Sequence, residues 1–100
     1  MSTELEKREK KISALLAGMT ALGAMRPGTL SVQYRNPTKK QTPFNQLSYT
    51  RKGKSRSEYV RPESLAAIRK EVETYKKFRL LVEQVTDLSL EASRLRHKRE

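Results

Sequence analysis

Between residues 26 and 61 the chain carries Arg26, Arg35, Lys39, Lys40, Arg51, Lys52, Lys54, Arg56 and Arg61 against a single acid, Glu58. Lys and Arg neutralise phosphates and release condensed counterions, so the chemistry on offer is polyanion binding. Ser48, Thr50, Ser55 and Ser57 are interspersed among the bases, and hydroxyls of this kind can donate to phosphate oxygens. Arg51 and Arg56 flank a Lys52-Gly53 turn and carry the planar fork that reads base edges. The rest of the chain is close to balance, with four bases and three acids in residues 1–25 and nine bases and seven acids in residues 62–100. With nine bases against one acid, the middle third therefore holds +8 of the total of +11. A small sheet with one buried face also has a solvated polar face, so solubility is the competing explanation. The segmental asymmetry favours the polyanion, through Arg35, Lys39, Lys40, Arg51, Lys52, Lys54, Arg56 and Arg61.

Catalytic chemistry has little to work with. The one His, His97, lies in a basic C-terminal run without a Ser or acid placed to orient it. There is no Cys, which excludes disulfides, thiolate metal sites and a Cys nucleophile. Lys52-Gly53-Lys54-Ser55 has the last letters of a phosphate loop but lacks the upstream glycine and the strand-to-helix setting. No enzymatic activity, cofactor or metal is expected.

Three kinds of segment must position these residues. Thr3-Glu4-Leu5-Glu6 is a capping box. Leu5, Ile12, Leu15, Leu16, Met19 and Leu22 follow it at helical spacing, with Gly18 weakening the last turns and Gly23 as the stop. Pro62-Glu63 starts a second helix that nothing interrupts as far as Glu100. Its stripe of Leu65, Ile68, Val72, Tyr75, Phe78, Val82, Val85 and Leu88 follows steps of three and four and predicts an association surface, buried in a helix hairpin or a coiled-coil-like seam. Between the helices, Leu30-Val32-Tyr34 and Leu47-Tyr49 alternate with polar residues, and residues 56–60 follow the Lys52-Gly53 turn. These features predict a three-stranded antiparallel insert. Residues 36–43 read as a loop. Tyr34, Tyr49 and Tyr59 are expected on the core face, although they and Phe44 are also the residue types that stack single-stranded bases. The fold class is α+β, one domain over residues 1–100, divided into an N-terminal helix (1–25), a basic β insert (26–61) and a long helix (62–100).

Gly28-Thr29-Leu30 with Tyr34, Pro43-Phe44, Leu47-Ser48, Gly53-Lys54-Ser55, Tyr59-Val60 and the helix bearing Tyr75 together resemble a family of small uncharacterised bacterial and archaeal proteins, a domain of unknown function whose members often lie near transposase genes. The resemblance covers about residues 27–96. It implies a mobile-element or DNA-associated accessory protein. The family's cysteine-rich loop is replaced here by Asn36-Pro37-Thr38-Lys39-Lys40, so no metal role carries over.

The expected function is non-enzymatic nucleic-acid binding, DNA favoured over RNA, with the basic hairpin on phosphates and the long helix serving self-association or docking to a larger protein complex. The alternatives are a helical protein-interaction adaptor with a solvated hairpin, and an RNA-binding protein of a ribonucleoprotein. No run is apolar over 18 residues, so no membrane partner is expected, and the cytoplasm is the expected compartment.

Overall fold

The computed structural model describes residues 3–98. Helix α1 (Glu4–Thr20) is followed by strands β1 (Thr29–Asn36), β2 (Gln41–Arg51) and β3 (Lys54–Val60), a 3₁₀ turn (Pro62–Ser64) and helix α2 (Leu65–Arg96). This is an α+β arrangement around an antiparallel sheet of order β1-β2-β3. The chain forms two compact units. The sheet unit is Ala24–Tyr75, and the helical unit comprises the segment ending at Gly23 with the segment beginning at Lys76.

In the helical unit the Thr3 half of the capping box forms, while the Glu6 carboxylate meets the Thr3 hydroxyl instead of its amide. The Glu6 amide donates to the Thr3 hydroxyl at 3.0 Å, and the Glu6 carboxylate accepts from the same hydroxyl at 3.3 Å. A cap of this type contributes about 1 kcal/mol. Helix α1 ends at Thr20, three residues before the expected stop at Gly23. The Thr20 hydroxyl donates to the Ala17 carbonyl at 2.7 Å, and the Ala21 amide bonds back to Gly18 rather than one residue further. That tightens the last turn and closes the helix without help from Gly23. Ala92 is fully buried, while Ile12, Leu15, Met19, Val82, Val85 and Leu88 are half-buried. Arg8 binds Glu4 at 2.7 Å and Glu91 at 3.2 Å, and Arg96 lies 3.9 Å from Glu9. The Arg8–Glu91 and Arg96–Glu9 pairs tie the first helix to the second.

In the sheet unit the core is Leu47, Val60 and Val72, with Leu30, Tyr49, Leu65 and Ile68 packed against it. Burying Leu47 alone contributes about 1.5–3 kcal/mol. Leu65, Ile68 and Val72, the first members of the helical stripe, are thus spent on covering one face of the sheet. Gly28 is demanded twice over. Its φ is +142°, and a Cβ there would lie 2.7 Å from the Leu47 side chain.

The hairpin turn is as expected. Arg51 pairs with Lys54, leaving Lys52 (φ +51°) and Gly53 (φ +77°) as a two-residue turn with both residues left-handed, the type I′ signature. Half of the region expected to be a loop is strand. Asn36 belongs to β1 and Gln41 through Pro43 to β2, so only residues 37–40 turn. Pro43 is tolerated because β3 ends opposite Asn45 and leaves β2 with β1 alone as a neighbour there. Thr42, directly before it, has φ +56°, an outlier for a β-branched residue. Helix α2 begins after the 3₁₀ turn that Pro62 opens and ends at Arg96, and residues 99 and 100 of the expected helix lie outside the described residues. Among the described residues, no helix is long and apolar enough to cross a membrane.

Candidate nucleic-acid interface

Strand register sorts the insert's side chains onto two faces. Leu30 pairs with Leu47, Leu47 with Glu58, and Asn45 with Val60. One face therefore carries Leu30, Val32 and Tyr34 of β1, Leu47, Tyr49 and Arg51 of β2, and Lys54, Arg56, Glu58 and Val60 of β3. The other carries Ser31, Gln33 and Arg35, then Phe44, Gln46, Ser48 and Thr50, then Ser55, Ser57 and Tyr59. The bases of the hairpin and the hydroxyls interspersed among them in sequence consequently point to opposite sides. The hydroxyls instead pair across the strands, Ser48 with Ser57 at 3.3 Å and Thr50 with Ser55 at 3.1 Å.

The only acid of the insert has a local partner. Glu58 forms an ion pair with Arg26 and accepts a hydrogen bond from the Tyr49 hydroxyl at 3.2 Å, while the Arg26 guanidinium lies 5.7 Å from the centre of the Tyr49 ring. The Arg26 amide also donates to the Glu71 carbonyl at 3.1 Å. Arg26 is therefore structural, which removes it from the nine bases counted in the segment. Its exclusion from the binding set had no basis in composition, but the juxtaposition of an arginine just before β1 with the one glutamate of β3 was the available signal.

The eight bases that remain are all exposed, and none forms an ion pair among the described residues. They do not make one patch. Arg51, Lys52, Lys54 and Arg56 gather at the β2–β3 hairpin, with Arg51, Lys54 and Arg56 on the Leu47 face. Arg35, Lys39 and Lys40 gather at the opposite end of β2, around the β1–β2 turn, and Arg61 follows the end of β3 that faces them. The Lys39 amide donates to the Asn36 side chain at 3.3 Å, which shapes that turn. Strand β2 is 11 residues long, so its two ends lie about 33 Å apart at the usual rise.

Tyr34 and Tyr49 lie half-buried on the Leu47 face as expected, but Tyr59 does not. It is 57% exposed and points to the other side. Adjacent strand residues alternate, so only one of Tyr59 and Val60 can face inward, and Val60 takes that place opposite Asn45, packed in the cluster with Leu47. Tyr59 meets Phe44 instead, with ring centres 6.3 Å apart and planes at 45°, and the Arg35 guanidinium lies 5.4 Å from the centre of Phe44.

No protein-family model, curated protein or solved structure matches this chain.

Proposed function

We propose that this chain is a non-enzymatic nucleic-acid-binding protein that holds phosphates with the exposed bases of its sheet unit, DNA being the favoured partner. The observation that carries this reading is the pairing of Glu58 with Arg26, which leaves eight exposed bases in the insert without an acid partner. Charge placed for solubility alone is cheapest when both signs are mixed, as they are on the helices. The hairpin that carries Arg51, Lys54 and Arg56 is a two-stranded ribbon, an element narrow enough for a major groove. Four bases at each end of β2 give the binding a measurable signature. If one end engages duplex DNA, four neutralised phosphates give a log–log salt slope of about −4; if both ends engage, the slope is about −7.

The test is fluorescence anisotropy with a labelled duplex over a series of salt concentrations. Replacing Arg51, Lys52, Lys54 and Arg56 by Glu is expected to abolish binding while the helical circular dichroism stays unchanged. Undiminished affinity in that variant, or affinity insensitive to salt, would sink the reading. A mobile-element setting for this activity belongs to the same proposal. Self-association or docking through the rest of the stripe, Tyr75, Phe78, Val82, Val85 and Leu88, belongs to the same proposal. Substituting Val82 and Val85 by Asp is expected to remove it without weakening a monomer's contact with DNA.

A further inference from the structure

The face of the sheet opposite the Leu47 core has a composition that phosphate binding does not use. Its centre is an aromatic pair, Phe44 and Tyr59, with Arg35 beside Phe44. Its surround is made of short polar side chains, Ser31, Gln33, Ser48 and Ser57. A tyrosine 57% exposed on a small sheet leaves a large apolar ring in water. An aromatic ring on an open sheet, ringed by hydrogen-bonding groups and next to cations, is the arrangement on which an unpaired nucleobase stacks.

Charge decides which flat ligand fits. Arg35 stands on this same face, and Arg61, which follows Val60 in an extended conformation, continues the alternation to it. Lys39 and Lys40 lie in the turn just beyond Arg35. No acid stands on this face, because Glu58 points the other way and is held by Arg26. A neutral apolar ligand or an apolar protein surface has no use for cations around the ring, whereas a base carries a phosphate on either side. We infer that the Phe44–Tyr59 face is a stacking platform for single-stranded nucleic acid, with Tyr59 receiving a base, Phe44 supporting it, and Arg35 and Arg61 meeting the flanking phosphates. This rests on the nucleic-acid reading above but assigns a different face and a different form of ligand. A duplex keeps its bases stacked on one another and presents none to this platform.

The experiment compares three labelled probes at one salt concentration: an oligo(dT) strand and an oligo(U) strand of about 12 nucleotides, within the usual site size for such surfaces, and a duplex of equal length. Tyr59→Ala and Phe44→Ala are expected to weaken both single strands by between about 5-fold and about 150-fold and to leave duplex affinity and its salt slope unchanged. Tyr59→Phe keeps the ring and is expected to bind single strands like the parent. The parent's tyrosine emission is expected to be quenched by the single strands, in part through Tyr59, and less so in Tyr59→Phe. Because Tyr59 is exposed, its truncation should leave the unfolding midpoint nearly in place, which separates lost stacking from lost folding. Single-strand affinity that survives both alanine substitutions overturns the platform, as does a drop that the duplex shares equally. Binding to the duplex alone overturns the platform and leaves the phosphate reading standing, whereas binding to none of the three probes overturns both.

Discussion

The helical unit and the sheet unit use the same basic side chains to opposite ends. On the helices, Arg8 reaches Glu4 and Glu91, Arg96 approaches Glu9 and Arg79 approaches Glu83, so these three cations have an acid close by. In the insert, Glu58 is matched to Arg26 and eight bases are left over. Exposed ion pairs contribute little to stability, typically about 0–1 kcal/mol, so the difference is not mainly one of folding energy. It is a difference in what each surface projects into solvent. The helices carry charges of both signs, whereas the insert exposes almost only positive charge.

Several measurements would break or sharpen that contrast. The largest effect is expected from reversing Arg51, Lys52, Lys54 and Arg56 together. Reversing Lys7, Lys10 and Lys11 on α1 serves as the control, and duplex anisotropy should respond to the first set far more than to the second. Next is Leu47→Ala, which empties the centre of the sheet unit's core. It should cost about 2–5 kcal/mol in a denaturant titration followed by tyrosine emission. Gly28→Ala comes third, at about 1–3 kcal/mol from overpacking against Leu47 and a strained φ. A loss below a few tenths of a kcal/mol would mean that the β1 entry relaxes freely. The smallest effect concerns the helical unit. The Arg8 guanidinium, helped by the charge of Lys7, holds the Glu4 carboxyl below its usual range, and Arg8 is raised in turn by its bond to Glu4. A carboxylate depressed in the folded state stabilises above its ordinary titration range, and that contribution is lost as the pH falls through the lowered value. The small part of α1 stability that this carboxylate supplies is therefore expected to fall away between the ordinary carboxylate range and the lowered value. Glu4→Gln should remove that part of the acid limb.

The parts of this architecture written in local chemistry are legible in the sequence. Thr3 and Glu6 announced the start of α1, Lys52-Gly53 announced the hairpin, and Pro62 marked the entry to the long helix. Period-two alternation located the strands because burial on one face requires it. The less legible features depended on register, which only pairing partners fix. Tyr59 and Val60 are adjacent and both suit a strand, and nothing local says which turns inward; the pairing of Val60 with Asn45, beside Leu47, decides it. The true length of β2 was hidden by Pro43, which reads as a breaker until it is known that β3 stops short of it. The candidate site was half legible. Composition picked out nine bases, but only the fold ties Arg26 to Glu58, separates the other eight into two groups of four at opposite ends of a strand and moves their hydroxyl neighbours to the other side.

Strand β3 has one more property, which follows from its place in the sheet. Among the described residues no strand lies beyond it, and an open edge of that kind can accept a strand from another copy of the chain. Lys54 and Arg56 stand along it and Arg61 follows it, so two copies meeting edge to edge bring like charges together. The side chains that would gather phosphates thus also guard the free protein against self-templating. A polyanion bound to them would remove that guard.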